Sequence, residues 1–235
     1  MTTERPDNTA IRTALWRALH VLNDDKPYVI EDIVGYNLIK PEQGWQERPD
    51  MKYTKPLRAS IVARARFIED VAKEQIAKGI TQYVLLGAGL DSFAQRNADI
   101  SSQVDIYEID QPETLAWKED RLIEEGYNIP GNLHFVPVNF ETSSWLDKLI
   151  NKGFDIKQTA IISCTGVTLY LTKEAVADTL KKMVSLLMVF SGKQKKGRER
   201  TLSVPPTFRK LLITTYPRFS LTYTRPVMSV AGIGD

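Results

Sequence analysis

Between residues 60 and 187 the apolar positions switch repeatedly between helical and strand-like spacing. Ile61, Ala65, Ile68, Ala72 and Ile76 recur at helical intervals between Ser60 and Gly79, a stripe with a polar cap and a glycine stop that predicts a helix. The apolar run at 82–86 then ends at Gly87 and reads as a buried strand. A second strand is expected at 104–109 and a third at 133–138. A helix lies between them, opened by Pro112, whose missing N–H costs nothing at that position, and closed by Gly126. A short helix at 143–152, a fourth strand at 159–164 and a helix at 172–187 complete the series, the last with Val176, Leu180, Met183 and Leu187 facing inward. Strands separated by helices and short loops predict βαβ units and a parallel sheet.

Upstream, Ile11, Leu15, Leu19 and Leu22 form one stripe of an amphipathic helix at 9–22. Residues 40–59 carry prolines and charges without periodicity and read as a long loop, of the kind that often covers a site.

In a sheet of this type ligands bind beyond the carboxyl ends of the strands, where the strand order reverses. The residues that follow each strand are therefore the informative ones. After the first strand comes Gly87-Ala88-Gly89-Leu90-Asp91-Ser92. Two glycines so spaced let the backbone turn sharply and approach a ligand, or simply make a tight turn. The third glycine of the dinucleotide fingerprint would fall at Ser92, which argues against a nicotinamide-dependent oxidoreductase.

The second strand ends in Glu108-Ile109-Asp110. A carboxylate at that tip can accept both hydroxyls of a ribose and would repel a 2′-phosphate; Asp110 is equally suited to capping the helix at Pro112. Asn139 and Phe140 follow the third strand, where an amide and a ring could read and stack on a flat base, although the ring also suits the core. Arg64 lies one position off the apolar stripe of its helix. There it can either pair with an anionic group or stand as a solvated flank residue, and Arg66 is its neighbour on the same helix.

Other chemistries lack support. His20 and His134 have no HxxxH or HExxH setting, so no metal site is expected. Cys164 sits in an apolar strand as a structural thiol, and no GxSxG elbow occurs.

Composition sharpens this picture at one point. Of 31 basic and 29 acidic residues, nine basic and two acidic fall in 188–235, a local charge of +7 against −5 for 1–187. An acidic body is not the footprint of a nucleic-acid binder, and the 193–200 basic run reads as a solvated face. With 43% hydrophobic residues the chain can bury a core. The longest apolar stretch, 186–190, is far shorter than the roughly 20 residues needed to span a bilayer. The first ten residues hold no apolar signal core, and a single cysteine permits no internal disulfide. A cytoplasmic protein with neither membrane nor nucleic-acid partner is the expectation.

Taken together, the runs VARARFIEDVAKEQIAKGITQYVLLGAGLDSFAQR (62–96), DIYEIDQPETLAWKEDRL (105–122), LHFVPVNFE (133–141) and TGVTLYLTKEAV (165–176) resemble the S-adenosylmethionine-dependent methyltransferases related to leucine carboxyl methyltransferase, in particular their bacterial O-methyltransferase branch. The opening segment 13–32 is similar to that branch as well. The resemblance covers about residues 10–187. It implies an α/β fold, the doubly wound, mostly parallel, Rossmann-like sheet of class I methyltransferases, with an N-terminal helical extension.

It also implies S-adenosyl-L-methionine as cofactor. Arg64 would hold the methionine carboxylate, Gly87 and Gly89 would approach the cofactor's backbone, Asp110 with Glu108 nearby would take the ribose, and Asn139 and Phe140 would sit at the adenine. The expected reaction is methyl transfer to a carboxylate or hydroxyl of a small molecule or peptide terminus. No catalytic residue is assigned, and Tyr170 is a candidate for substrate positioning.

The chain departs from the family's pattern in three places. Asn139 stands where the family usually has Asp, which forgoes a charge-assisted bond worth about 1 kcal/mol. Cys164 and Thr165 stand where many relatives have Glu or a Trp-Leu pair. After Leu187 the family's continuation is not matched; 211–216 and 219–224 are candidates for a closing hairpin. The expected division is a cofactor-binding domain at 1–187, with helix and cover loop at 1–59, followed by a divergent basic segment at 188–235. If that segment has removed the substrate wall, the alternative is a cofactor-binding protein without activity.

Overall fold

A computed structural model describes residues 8–189, 210–215, 219–224 and 227–232. The N-terminal region holds α1 (Asn8–Asn23), α2 (Val34–Ile39) and a 3-10 turn at Trp45–Glu47. The alternating region follows as α3 (Lys55–Ala77), β1 (Gln82–Leu86), the short helices α4 (Phe93–Arg96) and α5 (Ala98–Ser101), β2 (Asp105–Asp110), α6 (Pro112–Glu124) and β3 (Leu133–Pro137). Next come α7 (Trp145–Asn151), β4 (Ala160–Thr165), a 3-10 turn at Thr168–Tyr170, α8 (Lys173–Val189), β5 (Lys210–Thr215), β6 (Phe219–Thr224) and β7 (Val227–Gly232).

The strands form one sheet in the order β3-β2-β1-β4-β5-β6-β7. The pairings from β3 through β5 are parallel, whereas β6 and β7 run antiparallel to their neighbours. The order reverses between β1 and β4, so this doubly wound α/β sheet has its switch point there.

Because side chains alternate across a strand, β1 splits its apolar residues between two layers. Val84 and Leu86 join Tyr107, Ile109, Ile162 and Cys164 under α7 and α8, which contribute Trp145, Leu149, Met183 and Leu186. Tyr83 and Leu85 face the other way with Ile106 and Ile161, covered by Ala72 and Ile76 of α3 and Phe93 of α4. A third cluster joins α1 and α2 to α6 through Leu15, Leu19, Leu38, Trp117 and Leu122. The N-terminal extension is thus packed onto the α/β core. No described helix is long and apolar enough to cross a membrane.

Several elements differ from the pattern-based expectation. The third helix starts at Lys55, five residues before Ser60, because Pro56 is tolerated in a first helical turn and Arg58 is anchored to Asp24. The 40–59 segment is accordingly no continuous loop; it also holds the 3-10 turn, with Trp45 and Met51 buried. Val34–Ile39 folds as a helix too short to show a period.

Leu22 lies at the end of α1 and is 47% exposed, while Ala14 and Ala18 complete the buried face. On α8 the buried stripe runs through Ala175, Thr179, Met183 and Leu186, with Leu180 partly buried beside it; the Leu187 side chain lies outside the described residues. β2 extends to Asp110, so that residue belongs to the strand and the α6 cap is Gln111. The segment at 210–215 pairs in parallel with β4 as well as antiparallel with β6 and is therefore more than one arm of a hairpin. The 193–200 basic run and Tyr216 lie outside the described residues.

Candidate functional site

The parallel register sets Leu86 opposite both Ile109 and Cys164, so Gly87, Asp110 and Thr165 leave the sheet side by side. Above them lies a cavity of about 280 Å3. Its lining comes from α1 (Thr9, Thr13, Arg17), α3 (Arg64, Glu69), the 87–91 turn, the tip of β2 (Asp110, Gln111), Phe140, Glu141, and the segment after β4 (Gly166, Val167, Tyr170).

The turn is built by its glycines and by β2. Gly87 has φ +74° and Gly89 φ +52°, both in the left-handed region. A Cβ at Gly87 would lie 2.7 Å from that of Val167, so glycine is needed there for space as well as for conformation. The N–H groups of Gly87 and Ala88 donate to the carbonyl of Ile109 at 2.9 and 3.1 Å. The Gly89 N–H donates to Asp110 Oδ2 at 2.6 Å, and that of Gln111 to Oδ1 at 2.7 Å. Two backbone donors thus fix the plane of the Asp110 carboxylate at the cavity wall.

Of the residues singled out by sequence, Arg64, Gly87, Gly89, Asp110 and Phe140 line this one cavity. Glu108 does not. It is fully buried two residues deeper in β2 and forms an ion pair with Lys118 of α6. Burial pushes its carboxyl up to about 7 against the opposing pull of Lys118. Asn139 is exposed and points back along the chain, its Oδ1 accepting the Glu141 N–H at 2.9 Å while its carbonyl accepts those of Thr142 and Ser143. It therefore shapes the turn that carries Phe140, which is itself buried against the core. Arg66 is exposed and pairs with Asp70. Tyr170 is 56% exposed at the cavity, its hydroxyl 2.9 Å from that of Thr9. His20 pairs with Asp24 and His134 lies near Asp105, both away from the cavity. Among the described residues no cluster of His, Cys, Asp or Glu is fit to hold a metal.

A buried ionic network beneath the turn has no counterpart in the sequence reading. Asp32, 2% exposed, accepts Arg17 Nε at 2.6 Å, Ser92 Oγ at 2.7 Å and the Val34 N–H at 3.2 Å. Arg17 also donates to the Leu90 carbonyl at 2.7 Å. Arg96 bridges Ser92 and Glu69, at 2.9 and 2.6 Å. Burial pushes the Asp32 carboxyl up, but Arg17 and Arg96 outweigh it and hold the group below its ordinary value; Arg96 and Lys73 do the same for Glu69. Ser92 occupies the third fingerprint position because its hydroxyl joins this network. The only signal available in sequence was the charge of the arginines and acids, since apart from Ser92–Arg96, one helical turn apart, their pairings span 15 to 60 positions.

A switch-point cavity bordered by a glycine turn and a strand-tip carboxylate is the architecture of an α/β protein of the Rossmann-like class. Residues 10–184 match the sequence model of the family described as Leucine carboxyl methyltransferase, and the chain belongs to that family. It is 36% identical over 124 residues to YktD of Bacillus subtilis (strain 168), named as a candidate S-adenosyl-L-methionine-dependent methyltransferase, covering 53% of this chain and 40% of that protein. A similarly named protein of Mycobacterium ulcerans (strain Agy99) is 30% identical over 161 residues, 68% of this chain and 48% of the relative. The chain thus spans less than half the length of these relatives. Among solved structures it is similar to magnesium protoporphyrin IX methyltransferase from Synechocystis PCC 6803, at 12% identity and a TM-score of 0.43, over 95% of this chain and 83% of that one.

Proposed function

We propose that the chain binds S-adenosylmethionine in this cavity and carries out O-methylation of a carboxylate or hydroxyl on a small molecule or peptide terminus, in the cytoplasm. The observation that supports it most is the Asp110 carboxylate, held by the Gly89 and Gln111 N–H groups beside the glycine turn. Two features of the lining add support: Gly87 lies against Val167 with no room for a side chain between them, and Arg64 contributes a cation to the cavity wall. In this reading Arg64 pairs with the methionine carboxylate, the 87–89 backbone lies along the cofactor chain, Asp110 accepts the ribose hydroxyls and Phe140 borders the adenine. Glu108 and Asn139 act through the strand and turn they stabilise. The bound cofactor supplies an electrophilic methyl group on a sulfonium.

The protein's part is to align the acceptor oxygen with that methyl and to exclude water, which can lower a barrier by about 7–11 kcal/mol. Neither histidine of the chain lines the cavity. Glu69 is engaged by Arg96 and Lys73, and Glu141 by Thr172. A carboxylate acceptor, which needs no general base, suits such a site better than an alcohol. Tyr170, exposed at the cavity beside α1, is placed to orient it. The test is turnover of a panel of carboxylic acids, phenols, amines and thiols with labelled cofactor: methyl ester or ether formation supports the reading, and transfer only to amines or thiols contradicts it.

A further inference from the structure

Lys118 is fully buried, a position where an ammonium costs several kcal/mol unless it is well paired. Its partners lie on two elements. Nζ bonds to Glu108 Oε2 of β2, donates to the carbonyl of Asp91 at 2.6 Å, and sits 5.9 Å from the centre of the Phe135 ring. The other carboxylate oxygen, Glu108 Oε1, is buried without a hydrogen-bond partner. Lys118 thus pairs with Glu108 and reaches the turn at the same time.

The near end of that turn is fixed by β2, through the Ile109 carbonyl and the Asp110 carboxylate. Within it, the Asp91 N–H donates to the Ala88 carbonyl at 2.9 Å. The Asp91 carbonyl, at the far end, is held by Lys118.

We infer that Lys118 is a positioning residue for cofactor binding: it ties the far end of the 87–91 turn to the strand carrying Asp110, and so sets the span between turn and carboxylate. This inference rests on the cofactor site proposed above. Lys118 touches no cofactor itself. Its effect is on the geometry of the Gly89–Asp110 edge, and Glu108 serves as the counter-charge that allows an ammonium to be buried there.

The experiment is isothermal titration of the full chain with S-adenosylmethionine, with thermal unfolding and amide hydrogen exchange measured in parallel. E108Q leaves Lys118 within reach of the Asp91 carbonyl but without its counter-charge, and is expected to lose less affinity than the double variant. E108L/K118M removes both charges together, which buried pairs often tolerate without loss of stability, and is expected to unfold at a similar temperature but bind about tenfold or more weakly, as loss of one charge-assisted hydrogen bond predicts. Its exchange should accelerate at 87–91 and not across β1 or β2. If E108L/K118M does not fold, K118Q at pH 6, where Glu108 is largely protonated, is held to the same threshold. Affinity within about twofold of wild type in the folded double variant, or in K118Q at pH 6, overturns the inference. So does an E108Q loss as large as that of the double variant. Failure of folded wild-type protein to bind at all contradicts the underlying cofactor reading instead.

Discussion

The Gly89 backbone N–H donates to Asp110 Oδ2 at 2.6 Å, joining the glycine turn after β1 to the carboxylate at the tip of β2. Neighbouring parallel strands bring these two segments together at the point where the strand order reverses. This bond couples the shape of the turn to the orientation of the acid, which the Gln111 N–H also holds.

Gly87→Ala is expected to damage this edge. The added methyl would meet Val167 Cβ at 2.7 Å in a residue with φ +74°, and strain of this kind costs about 1–3 kcal/mol. The melting temperature should fall by several degrees, with weaker cofactor binding. Adding Val167→Gly removes the clash but not the backbone cost, so partial recovery is expected; full recovery would mean that conformation at position 87 is unimportant.

Acid should release the network beneath the turn. Asp32 and Glu69 have folded-state values below their unfolded ones, so they contribute stability above the unfolded values near pH 4, lost as pH falls through the folded values. Glu108 has the opposite sign: raised to about 7 by burial, it costs stability as pH rises from about 4.5 to 7. Urea unfolding across pH 3 to 7 should show Asp32→Asn flattening the acid limb and Glu108→Gln removing the decline between about pH 4.5 and 7. Unchanged limbs in both variants would contradict these assignments. At pH 7 Asp32→Ala leaves Arg17 and Arg96 without their shared anion, an expected loss of about 3–5 kcal/mol.

Cys164 is 1% exposed, and burial pushes its thiol up to about 12. It should resist alkylation by iodoacetamide at pH 8 in the native state and react fully in denaturant, as mass spectrometry would report. Rapid native-state labelling would show that β4 opens readily.

Tyr170→Phe removes a hydroxyl contact that is solvent-exposed, so stability should change by less than about 0.5 kcal/mol. If the residue orients the acceptor, turnover drops severalfold at unchanged cofactor affinity. Equal turnover in wild type and variant would remove Tyr170 from the reaction.

The sheet was legible because buried parallel strands are short apolar runs ended by glycine or acid, as at Leu86-Gly87 and Ile109-Asp110. Family membership followed from the same motifs. Depth below the strand tip was harder to read. Glu108 and Asp110 share a face by the two-residue period, yet only Asp110 borders the cavity, since Glu108 lies under α6 and is claimed by Lys118. Asn139 was placed beside the right element, but the turn it initiates folds its amide back on Glu141. The Arg17–Asp32–Ser92–Arg96–Glu69 network joins segments with no common period, so only tertiary packing reveals it. The early start of α3 was masked by Pro56 and by Arg58, a charged residue buried through its bond to Asp24.

The central claim, that Asp110 and the glycine turn form an S-adenosylmethionine site, is tested most directly by calorimetric titration of wild type and Asp110→Ala with the cofactor. Saturable one-to-one binding by wild type, weakened about tenfold or more in a folded Asp110→Ala variant, is the expected result. Undiminished affinity in that variant, or no binding by the folded wild-type chain, would contradict it.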